Sequence, residues 1–142
     1  MKLIRLMERI LRIFFAFSAL LLFRPAAVSA QNGEYDVFIP ISKYISQGNA
    51  DKLSAWFADN LEVSIGSSSY NSSKSQARQI VKNFFDANPP RSFAISHTAG
   101  KNNMKYAIGT MKTGGEVWLV TVFVNIDGQG YKIQHLKIEV MP

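Results

Sequence analysis

The sequence predicts an α+β domain, and three observations carry that prediction. Apolar residues in the first half of the chain recur mostly at spacings of three and four, the period of a helix face. One short stretch there, "LEVSI", alternates instead. Everything after Asn88-Pro89-Pro90 reads as β-strands separated by Gly- and Asn-containing turns.

The first thirty residues stand apart. "MKLIRLMERILR" is basic, Ile13 to Phe23 is an apolar run, and Val28-Ser29-Ala30 is a small-residue end before Gln31. That order describes a secretory signal peptide, residues 1–30, cleaved after Ala30. The apolar run is shorter than the roughly 20 residues a spanning helix needs. No cysteine follows it, which excludes a lipid-anchored lipoprotein. The expected product, residues 31–142, is a single domain in the periplasm or the medium, with no integral membrane segment.

Removing the leader changes the charge. The full chain has 16 basic and 10 acidic residues, and residues 31–142 keep 11 and 9 of them. No concentrated basic face remains to displace counterions from phosphates, so nucleic-acid binding is excluded. With no cysteine there is neither a disulfide framework nor thiolate chemistry. Stability must come from the hydrophobic core alone, which a domain of this length can supply.

Val37, Ile41, Tyr44 and Ile45 share one face of a first helix, from about Asp36 to Gly48, with Pro40 tolerable only in its opening turn. Asn49 caps a second helix with a Leu53, Trp56, Phe57 stripe. In "LEVSI", Leu61, Val63 and Ile65 point one way and Glu62 and Ser64 the other, a half-buried strand. Ser73 and Gln76 fit a capping box that opens a third helix. Ala77, Ile80, Val81, Phe84 and Phe85 form its stripe, and Asn88-Pro89-Pro90 stops it.

Four strands follow: Phe93–Ala99, Met104–Met111, Val117–Ile126 and Tyr131–Met141. The third is apolar on both faces, with Trp118, Val120, Val122 and Val124 opposite Val117, Leu119 and Phe123. One layer of helices covers only one face. Trp118, Val120, Val122 and Val124 are therefore the expected interface of a homodimer formed through the sheet. In the last strand Tyr131 and Ile133 share one parity and Leu136, Ile138 and Val140 the other, which predicts a β-bulge near Gln134-His135.

Helix–helix–strand–helix followed by a four-stranded meander resembles the cystatin-like cone of the nuclear transport factor 2 and ketosteroid isomerase superfamily. "SQGNADKLSAWFADNLEVSI" is similar to that group's opening. "SKSQARQIVKNFFDANPPRSFAISHTAG", "YAIGTM" and "YKIQHLKIE" resemble a family of short exported proteins of unknown function from Bacteroidetes-type bacteria. The resemblance implies three N-terminal helices packed on a strongly curved mixed or antiparallel sheet, and brings no catalytic residues with it.

In such a cone, Trp56, Phe84, Phe85, His97 and Tyr106 are the expected lining of a pocket between helices and sheet. His97 shares parity with Phe93 and Ile95 and so should point inward, where an imidazole can donate or accept a proton. Tyr106 should face the same way. An isomerase- or dehydratase-like proton transfer by His97 and Tyr106 is one reading; the plainer one is a core histidine and a core aromatic. Asp36, Asp51 and Asp59, the acidic groups of the early helices, read as caps or surface residues and leave that chemistry without its partner.

His135 belongs to a solvent-facing row with Lys137 and Glu139. Two histidines without cysteines are too few for a protein-only zinc site, and "DGQG" lacks calcium ligands; no metal or cofactor is expected. Lys74, Arg78 and Lys82 form an exposed ridge on the third helix, either a docking surface or a solvated face. Three functional classes remain: a non-catalytic module of the cell envelope binding a small apolar ligand or a protein, a small cone-pocket enzyme, or a purely structural dimer.

Overall fold

The computed structural model describes residues 33–142, and the expected signal peptide lies outside the described residues. The described chain runs α1 (Phe38–Gln47), α2 (Ala50–Ser54), β1 (Phe57–Ile65), β2 (Ser68–Ser73), α3 (Lys74–Ala87), β3 (Ser92–Lys101), β4 (Met104–Lys112), β5 (Val117–Asp127) and β6 (Gly130–Val140). Among these residues no helix is long and apolar enough to cross a membrane.

Local signals explain most element ends. Gly48 closes α1 at φ 63°, and its N–H and that of Asn49 reach back to Ile45 and Tyr44. A side chain there would be strained by the backbone and would meet Pro90 at 2.9 Å. Asn49 Oδ1 accepts from the Lys52 amide at 3.0 Å. Both bonds of the predicted capping box form: Ser73 Oγ accepts from Gln76 N–H, and Ser73 N–H donates to Gln76 Oε1.

Two readings need correction. The second helix stops at Ser54, so Trp56 and Phe57 do not continue its stripe. A five-residue helix has little stability of its own, and the β6 strand takes over here. The Ile133 N–H donates to the Trp56 carbonyl at 2.7 Å, and Phe57 pairs with Ile133. The stretch "SSYNSS" is a strand as well, pairing with β1 through six consecutive residues across a turn at Gly66. It carries no hydrophobic alternation, so period gave no sign of it.

The six strands form one mixed sheet in the order β2-β1-β6-β5-β4-β3. The β1–β6 pair is parallel and every other pair antiparallel. The predicted bulge is present. Phe123 pairs with His135 and Val124 with Ile133, which leaves Gln134 as the extra residue. A second bulge lies in β3: Ile95 pairs with Gly109 and His97 with Ile108, so Ser96 is extra there.

All three helices contribute to one core with the sheet's inner face, which includes Leu61, Val63, Met111, Leu136 and Ile138. Trp118, Val120, Val122 and Val124 belong to that core. Trp118 meets Phe84 of α3 edge-on, ring centroids 4.9 Å apart. These four residues are therefore not a surface for a second copy. The strand does have two apolar faces, but helices of the same chain cover this one.

Candidate functional site

The five residues expected to line a pocket divide between two sides of the sheet. Phe84 and Phe85 are sealed in the core, and Trp56 is half-buried against it. His97 and Tyr106 lie on the opposite, outer face, because the Ser96 bulge reverses the phase of β3 after Ile95. None of the main clefts among the described residues is lined by any of the five. No buried side-chain nitrogen or oxygen among the described residues lacks a partner, so the core holds no idle polar group aimed at a ligand.

His97 and Tyr106 face the same way, but outward rather than into the expected pocket. Their ring centroids are 5.9 Å apart, and the contact continues as a row across the sheet. Tyr106 lies 5.7 Å from Phe123, and Phe123 stacks on His135 at 5.5 Å. Each residue comes from a different strand, β3, β4, β5 and β6 in turn. Tyr106 and Phe123 are direct register partners, as are Phe123 and His135. Ile108 and Leu119, half-buried, flank the row, while Met104 and Val117 extend the apolar surface at 48% and 39% exposure. Ring pairs at these distances prefer offset or tilted geometry and contribute about 0.5–1.5 kcal/mol each.

Towards β1 the face becomes polar. His135 Nε2 lies 3.0 Å from Ser64 Oγ, which is 2.7 Å from Ser69 Oγ. His135 Nδ1 is 3.9 Å from a Glu62 carboxylate oxygen, and Lys137 pairs with Glu139 at 3.3 Å. Ser64, His135 and Glu62 have the order of a nucleophile, a base and an orienting carboxylate. The surroundings do not complete a catalytic site. Ser64 is only 5% exposed, and its strand is paired on both sides, with β2 and with β6. Two residues on, the Gly66 N–H donates to the Ile138 carbonyl. Oxyanion stabilisation needs donors free to face the reacting atom. The network satisfies a buried hydroxyl.

One residue with unusual surroundings escaped the sequence reading. Lys105 is 7% exposed, and its Nζ donates to the Glu34 carbonyl. The same ammonium lies 5.2 Å from the ring centres of both Tyr35 and Tyr131. Cation–π contact of this kind offsets part of the cost of removing the charge from water. The signal was parity. Lys105 occupies an inward position of β4 together with Ala107 and Met111, where a lysine needs a reason. Here it ties the segment before α1 to the end of the sheet.

The basic ridge of α3 is partly engaged, with Arg78 Nε 4.0 Å from Asp51 of α2. Among the described residues no group of three or more His, Asp or Glu could hold a metal ion.

Against known proteins, the family model described as a domain of unknown function, DUF4783, matches residues 38–139. The chain belongs to the DUF4783 family. No curated protein matches the sequence. A crystal structure of a DUF4783 protein from Bacteroides ovatus superposes with a TM-score of 0.71 at 21% identity, covering 73% of this chain and 94% of that one. A Silicibacter pomeroyi protein with a cystatin-like fold gives 0.60 at 11% identity, covering 78% and 77%. A member of the NTF2-like family from Streptomyces avermitilis gives 0.56 at 8%, covering 74% and 91%. At these identities the likeness is one of fold, and it is the cystatin-like, NTF2-like cone the sequence resembles. In this DUF4783 domain Phe84, Phe85 and Val122 belong to the core between helices and sheet, and the aromatic row lies outside it.

Proposed function

We propose that the protein is an exported, non-catalytic binding module of the cell envelope whose working surface is the outer face of the sheet. The observation that carries this reading is the row His97–Tyr106–Phe123–His135 with Ile108, Leu119 and Met104 beside it. A contiguous apolar patch rimmed by polar groups, on the face the helices leave uncovered, has the composition of a protein interface. The occupant this face fits best is a second copy of the chain. Its charged rim carries both signs, Glu62 and Glu139 beside Lys101, Lys112, Lys132 and Lys137, so a two-fold arrangement can oppose unlike charges. A small apolar ligand inside the cone fits the geometry less well, because Phe84, Phe85 and Val122 occupy that space. Proton transfer by His97 and Tyr106 would take place on an open face where, among the described residues, no carboxylate is paired to His97.

Export after cleavage at Ala30 rests on the leader's pattern alone. Expression of the full chain, then sedimentation of the purified protein with intact mass measured on the same sample, tests both parts. A dimer of chains beginning at Gln31 is expected. A monomer at tens of micromolar removes the self-association reading, and an intact leader removes the export reading.

A further inference from the structure

The two edges of the sheet are protected very differently. The β3 edge carries the Ser96 bulge, has Arg91 and Lys101 at its ends, and has α1 packed against it. Bulges, cations and covering helices are the usual means of keeping an edge from pairing with a foreign strand. The β2 edge has no bulge, only Lys74 just past its end, and only light cover from α3. "SSYNSS" contains no charge and no proline, and its register with β1 is unbroken over all six residues. Among the described residues it pairs with β1 alone, so along its other side the main-chain N–H and C=O groups of alternate residues have no strand partner, although at its end the Ser73 N–H is taken by Gln76.

Beneath that edge lies a groove. Tyr70 pairs with Val63, and Ser72 with Leu61, so both point to the helix side of the sheet. Helix α3 packs on β1 and only lightly on β2. Tyr70 consequently overhangs it and stays 46% exposed. The space between, about 590 Å³, has Tyr70 and Ser72 on one wall and Gln76, Gln79, Ile80 and Asn83 of α3 on the other. Every residue lining it is uncharged.

From this geometry we infer that β2 and its groove form a docking site for an extended, uncharged peptide segment of a partner protein. The segment adds as a seventh strand along β2. Its main chain takes the free β2 donors and acceptors. Every second side chain turns down towards α3, and one apolar residue sits between the Tyr70 ring and Ile80. Strand addition works in this way, main-chain bonds giving affinity and alternate pockets giving specificity. The neutral lining selects the partner's chemistry: a Lys, Asp or Glu at the seated position would lose hydration without gaining a counter-charge. The amides of Gln76, Gln79 and Asn83 serve polar neighbours of the seated residue. The site is on a different strand from the aromatic row, so it stands whether or not the outer face pairs with a second copy.

The probe is a phage-displayed library of random decapeptides, selected on the purified protein and counter-selected on its Tyr70→Ala variant. Enriched sequences should alternate with period two, carry one apolar residue at a fixed position and avoid charge there. The best sequence is then made as a fluorescent peptide and as two versions N-methylated at alternate amides in opposite phase. One phase should weaken binding about tenfold or more and the other should leave it nearly unchanged, because only alternate amides face β2. Asn83→Asp, an exposed change with little reach into the core, should discriminate against peptides with acidic flanks while the protein's melting temperature holds. No enrichment, enriched sequences without the alternation, or equal loss from both N-methylated phases would overturn the inference. So would saturable binding of a neutral oligosaccharide that Tyr70→Ala abolishes, which makes the groove a glycan site. Self-association lost in Tyr70→Ala but kept in Phe123→Lys would assign the edge to a second copy instead.

Discussion

The two faces of β5 have nearly the same hydrophobicity and opposite fates. Trp118, Val120, Val122 and Val124 are at most 9% exposed beneath the helices, while Leu119, Thr121 and Phe123, one residue out of phase, stay partly open on the far side. The difference lies in what the neighbouring strands and helices offer. On the inner side Phe84, Phe85, Leu136 and Ile138 complete a closed core. On the outer side Phe123 stacks with Tyr106 and His135, and the polar groups of β6 and β1 begin beyond them. An apolar strand side is thus a core or a surface depending on its partners, and composition does not distinguish the two.

The sharpest way to break this comparison is to charge the inner side. Val122→Lys places an unpaired ammonium in the core and should cost about 3–5 kcal/mol, enough to unfold much of the protein at ambient temperature. Far-ultraviolet circular dichroism with thermal melting reads this directly, and a melt close to wild type would mean that the inner and outer assignments are reversed.

Next is Gly109→Ala. A methyl group there would come within 2.5 Å of the Phe93 ring and 2.8 Å of the Ala94 carbonyl, so the seat of β3 on β4 must shift. A loss of about 1–3 kcal/mol is expected in urea unfolding.

Phe123→Lys makes the same chemical change as the first variant on the outer side. It removes two ring pairs, so it should cost about 1–3 kcal/mol in stability, and it should convert the expected dimer to monomer in sedimentation. A loss of stability comparable to Val122→Lys would erase the distinction between the faces.

The smallest effect is expected for His97→Ala. Read from its parity with Phe93 and Ile95, His97 is a core residue whose loss destabilises the fold. Placed outside by the Ser96 bulge, it loses one exposed ring contact and should shift stability by no more than about 1.5 kcal/mol. A drop several times larger would restore it to the core.

What was legible in the sequence follows from the range of the interactions. The Ser73–Gln76 capping box, the Gly48 stop and the α3 stripe each arise within a few residues, so the sequence alone determined them. The Gln134 bulge belongs with these, because the apolar pattern of β6 changes parity within the strand itself. The Ser96 bulge left no such mark. Apolar residues precede it, but His97, Thr98 and Ala99 fit either phase, and only the pairing of His97 with Ile108 and of Thr98 with Ala107 selects one. That choice moved the most prominent candidate residue from a presumed pocket to an exposed face.

Three features were decided by tertiary structure alone. The β2 strand exists because β1 offers a ladder to a segment with no apolar face of its own. The second helix ends early because Ile133 claims the Trp56 carbonyl and pairs with Phe57. The helices cover one side of β5 rather than the other, the side on which Trp118 meets Phe84 within the common core. Local hydrogen bonding and periodicity determined the elements; the sheet's long-range pairing decided which surface each side chain reaches, and with it where this protein can bind.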